Sequence, residues 1–78
     1  MSADNLNLVM EVIKEVMVEE DIELCTLSSD VNILADTGLD SLGLASVVVK
    51  LEEKTGKDPF ADGFVNFSTV GELAQLYE

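Results

Sequence analysis

The chain has 78 residues and carries 16 acidic side chains against 4 lysines, with no arginine and no histidine, so its formal net charge is -12. This length predicts a single domain over residues 1–78. The charge excludes nucleic acids and anionic membrane surfaces as partners, because proteins bind both through lysine and arginine, and it favours basic protein surfaces instead.

The first predicted element is an amphipathic helix over Leu6–Met17. Apolar residues recur there at three- and four-residue spacing, while polar and charged residues fall on the opposite side. Ser2 or Asp4 can cap its first turn, and the acidic run 19–21 marks its end. The next stretch, residues 21–40, loses the helical period and is predicted to be a long loop whose apolar residues pack across the helices.

A second helix is predicted from Asp40 or Ser41 to about Lys54, where Thr55 and Gly56 form a stop signal. Its core face is predicted to carry Leu44, Val47, Val48, Leu51 and Thr55. A second, shallower apolar seam consists of Leu42, Ala45 and Val49, edged by Ser46, Lys50 and Glu53. Two apolar faces need two contacts, so this seam is either buried under the long loop or exposed to dock a partner.

A short helix or turn is predicted at Pro59–Asp62, because proline favours the first helical position, and Gly63 would end it. Phe60, Phe64 and Phe67 are expected to fill the core. All three phenylalanines lie in or near this one connection.

The last helix is predicted to begin near Ser68 or Thr69, since Thr69 and Glu72 have the spacing of a capping box. Its apolar stripe consists of Val70, Leu73, Ala74 and Tyr77. The sequence therefore predicts an all-α four-helix bundle, with three longer helices, one short helix and a long loop between the first two helices.

Catalytic and metal-binding chemistry is scarce in this sequence. No histidine is present to activate a serine nucleophile, so we expect no enzymatic activity and no catalytic residues. Loops that begin at Asp30 and Asp58 are acidic but do not place oxygen ligands at the positions of a calcium loop, so no metal is predicted. With Cys25 as a lone apolar filler and no signal or membrane-spanning segment, we expect a cytoplasmic monomer.

The most informative string is Gly38-Leu39-Asp40-Ser41-Leu42, where the long loop meets the second helix. By local rules alone, Ser41 would be an ordinary helix cap. The string resembles the modification site of acyl and peptidyl carrier proteins, whose pattern is Gly, any residue, Asp, Ser, then Leu or Met. The resemblance extends to the length, the acidity, the first helix, the long loop, Leu51-Glu52-Glu53 and the closing 69–73 segment.

This resemblance implies that a phosphopantetheinyl transferase attaches 4′-phosphopantetheine from coenzyme A to Ser41, and that the thiol of this arm carries acyl groups as thioesters. Asp40 would contact the transferase or cap the helix. Gly38 would form a backbone turn in a conformation that residues with a side chain do not readily adopt, and Leu42 would be the last residue of the attachment motif. A phosphodiester at Ser41 would meet unpaired amides and the positive end of the helix dipole.

The resemblance also implies that partner enzymes dock on the second helix. The predicted partner-binding residues are Leu42, Ala45, Ser46, Val49 and Glu53. The expected partners are the transferase and acyl-transferring or acyl-modifying enzymes with basic docking patches. Residues 43–46 are less acidic than in the familiar fatty-acid carriers, and Gly43 is predicted to weaken the helix by roughly 0.5–1 kcal/mol relative to alanine.

Because the chain starts at Met1 and has the length of one carrier domain, we expect a free-standing carrier that works in fatty-acid, polyketide or related biosynthesis. Aminoacyl, peptidyl or D-alanyl cargo are the alternatives within the family. The alternative from another class is an unmodified acidic helical adaptor that binds a basic partner through the apolar seam.

Overall fold

The computed structural model describes residues 3–61, 63 and 66–77. Its helices are α1 (Ala3–Glu19), α2 (Ile33–Thr37), α3 (Ser41–Thr55) and α4 (Val70–Leu76). These described residues contain no strand, and their extended segments meet only in an isolated bridge between Asn32 and Thr69. The prediction of an all-α bundle of four helices is confirmed.

The core lies where α1 packs against α3 and α4. Its fully buried side chains come from every helix: Val9, Val12, Ile13, Val16 and Met17 of α1, Ile33 of α2, Val47 and Leu51 of α3, and Val70 and Leu73 of α4. Burying each of these side chains contributes about 1.5–3 kcal/mol, which is why the apolar periodicity of α1 and α3 selects the faces that meet. None of the described helices is both long and apolar enough to cross a bilayer.

The end of α1 is a Schellman turn, in which the chain reverses through a left-handed residue. The Ile22 amide donates to the Met17 carbonyl at 2.8 Å, and the Asp21 amide donates to the Val18 carbonyl at 3.1 Å. Asp21 takes the left-handed conformation with φ 62°, a position that usually belongs to glycine. The acidic run therefore ends the helix as predicted. Asp4 lies inside the first turn, and Ser2 is outside the described residues.

The prediction of an unbroken loop over residues 21–40 is wrong, because α2 lies within it. The Asn32 side chain accepts a hydrogen bond from the Ala35 amide at 2.8 Å, and the Asp36 carboxylate accepts one from the Asn32 amide at 2.9 Å. This reciprocal cap spans four residues rather than the three of a capping box, which hides it from the usual sequence pattern. Burial of Ile33 in the core anchors the single turn.

Of the two alternatives predicted for the segment that begins at Pro59, the turn is confirmed. Residues 59–61 form it, with the Ala61 amide donating to the Asp58 carbonyl at 3.2 Å. Asp62 and Phe64 lie outside the described residues. Since α4 has only seven residues, two helices are long rather than three.

The start of α4 is fixed by backbone pairing with the segment before α2. The Ile33 amide donates to the Ser68 carbonyl at 2.9 Å, and the Val70 amide donates to the Val31 carbonyl at 3.0 Å. The predicted capping box is present, because Thr69 accepts from the Glu72 amide and Glu72 accepts from the Thr69 amide. These bonds hold the end of the long connection against the segment that leads into Ser41.

Candidate functional site

The segment that leads into α3 is anchored by two buried residues. The Thr37 hydroxyl donates to the Ile33 carbonyl and accepts from the Leu39 amide at 3.1 Å, while the Leu39 side chain is only 3% exposed. Between them Gly38 has φ 89°, a left-handed conformation that a side chain would strain, as predicted for this turn. The anchoring role of Leu39 was not predicted, although an apolar residue inside a polar motif is a signal for it.

The cap of α3 is Asp40 and not Ser41. The Asp40 carboxylate accepts a hydrogen bond from the Gly43 amide at 2.8 Å, which confirms the prediction that Asp40 can cap the helix, and the interpretation of Ser41 as the cap is wrong. Ser41 is the first residue of the helix and is exposed, and its hydroxyl forms no hydrogen bond with any described residue. Esterification of this hydroxyl therefore breaks no bond that holds the described fold together.

The first turn of α3 lies directly on Leu39. Gly43 is buried, and a Cβ atom built on it would come within 2.8 Å of the Leu39 Cδ2 atom. Glycine at this position lets the turn approach the anchor closely. Gly43, which the sequence identifies as a weak helix former, is therefore required by the packing of this turn against Leu39.

An apolar groove of about 510 Å³, which we call the Ser41 groove, runs along one side of α3. It is lined by Ser41, Leu44, Ala45, Val48, Val49, Glu52, Phe60 and Phe67. The two polar residues of the lining are Ser41 and Glu52, which are also the first and last α3 residues that line the groove. They are about 16 Å apart along the helix axis, at 1.5 Å per residue. Phe60 and Phe67, with ring centroids 5.9 Å apart, are half-buried and line its wall. Phe67 also packs against the edge of the core, whereas the prediction of Phe60 as a core residue is wrong.

A second groove of about 520 Å³, the seam groove, adjoins it on the same helix, and Ala45 and Val49 line both. It is lined by Glu19, Leu42, Ala45, Ser46, Val49, Lys50 and Glu53. Leu42 is 76% exposed and Val49 is 54% exposed, so burial of the seam beneath the loop is excluded. All five residues predicted to bind partners line this one groove, whereas the contribution of Glu19 from α1 was not predicted.

The lysines of the chain are largely engaged within the fold. Lys50 Nζ lies 3.1 Å from a Glu19 carboxylate oxygen and 4.0 Å from one of Glu15, and Lys54 Nζ lies 3.9 Å from Glu15. The hydrogen bond with Glu19 and the nearby carboxylates raise the pKa of Lys50. Lys57 Nζ donates to the Tyr77 carbonyl at 3.1 Å. Three of the four lysines are thus occupied, and among the described residues most surface carboxylates have no lysine within ion-pair distance.

Metal ligation finds no support within the part of the chain that the structure describes, where no three histidine, cysteine, aspartate or glutamate side chains are grouped to hold an ion. Cys25 is half-buried, and its Sγ atom lies 3.9 Å from the Asp36 carbonyl oxygen. The exposed Ser41 hydroxyl beside two apolar grooves therefore remains the best candidate site.

Comparison with protein families finds that a family model described as a phosphopantetheine attachment site matches residues 7–77. Neither the curated proteins nor the solved structures contain a match to this chain. The match covers α2, α3 and α4 completely, all but the first turn of α1, and both grooves.

Proposed function

Because the chain belongs to the family of phosphopantetheine attachment sites, and is therefore a carrier protein that bears this group, we propose that Ser41 is its attachment residue and that its cargo is an acyl group. The observation that carries the proposal is the exposed Ser41 hydroxyl, free of any structural hydrogen bond to the described residues, at the start of a long helix and at one end of an apolar groove.

The residues around Ser41 fit the group. The amides of the first helical turn have no partner within a helix, and the positive end of the α3 dipole favours the negative charge of a phosphodiester. Asp40 already binds the Gly43 amide, so the cap is maintained when Ser41 is modified. Ser46 is a poorer candidate, since it lies within the helix and its hydroxyl donates to the Leu42 carbonyl at 3.3 Å.

The bound group supplies a thiol on a flexible arm, on which cargo is held as a thioester. The chain itself holds Ser41 at the surface through the Leu39 anchor and presents two adjoining grooves along α3. Because no histidine is available as a base, we infer that the chain is a tethered substrate for other enzymes rather than a catalyst.

The Ser41 groove supports an acyl cargo of the fatty-acid or polyketide type over an aminoacyl or D-alanyl one. Its walls are the aliphatic and aromatic side chains of α3, Phe60 and Phe67, which stabilise alkyl groups by about 0.8 kcal/mol for each buried methylene. A charged ammonium group would lose hydration against the aliphatic part of these walls, and the lining offers it a single carboxylate, that of Glu52 at the end of the groove away from Ser41.

The partners of this proposal are the phosphopantetheinyl transferase and acyl-transferring enzymes with basic docking patches. Opposite charge would speed their encounter with a chain of net charge -12. Docking itself can remain weak, since a tethered cargo reaches a docked active site at high effective concentration.

Attachment is tested by incubating the chain with coenzyme A and a broad-specificity phosphopantetheinyl transferase and measuring the intact mass. We expect wild type and Ser46→Ala to gain one phosphopantetheine group and Ser41→Ala to gain none. A wild-type chain that gains no mass, or a gain that survives Ser41→Ala, would refute the assignment, and the first outcome would favour the unmodified adaptor.

The cargo class is tested by comparing thermal unfolding of the octanoyl, acetyl and D-alanyl forms of the modified chain. The octanoyl form should unfold at the highest temperature, and Val48→Ser should remove most of that difference because Val48 lines the groove. Equal unfolding temperatures for the octanoyl and acetyl forms would contradict an acyl cargo held in the Ser41 groove.

A further inference from the structure

Two grooves lie side by side on the face of the molecule that α1 and α3 share, and both are lined by Glu19. One is the seam groove on α3, and the other, of about 440 Å³, is lined by Glu11, Lys14, Glu15, Val18 and Glu19 of α1. These α1 positions follow the i, i+3, i+4, i+7, i+8 spacing of a single helical face. The two grooves therefore form one continuous surface, which we call the α1–α3 valley.

Exposed apolar side chains are concentrated in this valley. Val18 is 63% exposed on the α1 side, and the exposed Leu42 and Val49 lie on the α3 side. These are three of the five large apolar side chains that the described part of the chain leaves exposed. Such clustering, as opposed to single scattered residues, indicates a surface that another molecule covers.

The charge around the valley is negative. Its lining contains four glutamates and two lysines, which leaves two negative charges, and Lys50 is already paired with Glu19 at 3.1 Å. The exposed Glu20 and Asp21 follow directly at the end of α1, where the helix dipole is also negative. The complementary occupant is an amphipathic helix of a partner protein, with an apolar stripe flanked by lysine or arginine.

The valley ends beside the modification residue, because Leu42 follows Ser41 directly and lines the seam groove. We propose that enzymes acting at Ser41 dock a basic amphipathic helix across both α1 and α3, so that Val18 and Glu19 of α1 are part of the docking surface. This inference rests on the proposed carrier function and adds α1 to the predicted contacts of α3. The first such partner is the phosphopantetheinyl transferase, since every chain of the family must meet one.

The test measures kcat and KM of a broad-specificity phosphopantetheinyl transferase with the unmodified full chain as substrate. Val18→Ser should raise KM about fivefold with kcat unchanged, the equivalent of losing one apolar anchor worth about 1 kcal/mol. Val18→Lys should raise KM further, because it adds a like charge against a basic partner. Leu24→Ser and Leu24→Lys are the matched controls, since Leu24 is 51% exposed and lines neither groove.

The electrostatic part is tested with Glu19→Gln against Glu23→Gln. Glu19→Gln should raise KM at low salt, and the difference should shrink as the ionic strength approaches about 0.5 M, where charges are screened within a few ångströms. A Val18→Lys chain that keeps the wild-type KM while Leu42→Ser impairs modification would overturn the two-helix surface and leave the carrier function intact. A wild-type chain that is not modified at all would instead refute the carrier function itself, and the docking surface with it.

Discussion

Gly43 occupies the first turn of α3, and replacing it with alanine tests whether the Leu39 anchor holds this turn in place. Within a helix this change usually stabilises a protein by roughly 0.5–1 kcal/mol. Here the new Cβ would lie 2.8 Å from Leu39 Cδ2, in a side chain that is 3% exposed and has little room to move. Overpacking of this kind costs about 1–3 kcal/mol. We therefore expect a net destabilisation of about 1 kcal/mol, or a fall in Tm of about 4–8 °C.

The sign of the effect should reverse when the clashing atom is removed. Leu39→Val lacks the Cδ2 atom and costs about 0.8 kcal/mol by itself, for the loss of one buried methylene. In that background Gly43→Ala should stabilise the chain by roughly 0.5 kcal/mol, which gives a coupling between the two sites of about 1–2 kcal/mol. The free energies of unfolding are measured by urea titration followed by far-ultraviolet circular dichroism.

Gly71→Ala serves as the matched control. Its Cβ would lie 3.1 Å from the Ser29 carbonyl oxygen, a backbone atom that already accepts a hydrogen bond from the Gly71 amide at 2.9 Å. This change should therefore destabilise the chain equally with Leu39 or Val at position 39. If Gly43→Ala stabilises the wild-type chain, or has the same effect in both backgrounds, the anchor explanation is wrong.

Burial raises the pKa of Tyr77 to about 12, so the stability that it contributes is complete below its ordinary pKa of 10.0 and is lost as the pH rises towards 12. Tyr77→Phe should remove this loss in unfolding titrations across that range. It should also raise the free energy of unfolding at neutral pH by about 1 kcal/mol, because the buried hydroxyl has no partner among the described residues. If the wild-type and variant free energies fall in parallel as the pH rises, this account of Tyr77 is wrong. Asp21→Gly should stabilise the chain by about 0.5–1 kcal/mol, because glycine adopts the left-handed conformation at position 21 without strain. Asp21→Asn is the control for the lost charge, and a lower Tm for the glycine variant would argue against this explanation. Hydrogen bonds from the Ser68 and Thr69 amides lower the pKa of Glu72, so its contribution is present above its unfolded pKa and is lost as the pH falls through the folded value. Glu72→Gln should flatten the fall in stability between roughly pH 5 and 3, as measured by urea unfolding at each pH, and an unchanged slope would count against the cap.

The two long helices, the start of α4 and the helix caps could be predicted from the sequence because they depend on local interactions. The apolar period of α1 and α3 selects their buried faces, and Thr69 with Glu72 forms the predicted capping box. The stop at Gly56 is likewise local, since its amide donates to the Glu52 carbonyl at 2.8 Å. The prediction of Ser41 as the modification residue rests on the motif, and it remains a proposal that the transferase assay tests.

The short helix α2 and the surroundings of the phenylalanines could not be predicted, because they depend on contacts distant in sequence. A single turn such as α2 is too short to be stable alone, and it is held by the burial of Ile33 and by pairing with the segment before α4. Phe60 has the apolarity of a core residue, yet the core is filled by residues such as Tyr77, which leaves Phe60 in a groove wall and Phe67 at the edge of the core. Apolarity alone does not say which residue the packing places inside.

The functional surface likewise has some features that could be predicted from the sequence and others that could not. The two apolar faces of α3 and the place of Ser41 at its start follow from the sequence alone, because helical spacing and the motif are properties of consecutive residues. The packing of the helices was needed to learn that the Leu42 face is exposed and that Val18 and Glu19 of α1 lie beside the seam. Exposure and adjacency depend on how helices pack against each other, and that packing is the sum of many long-range contacts that no local pattern encodes.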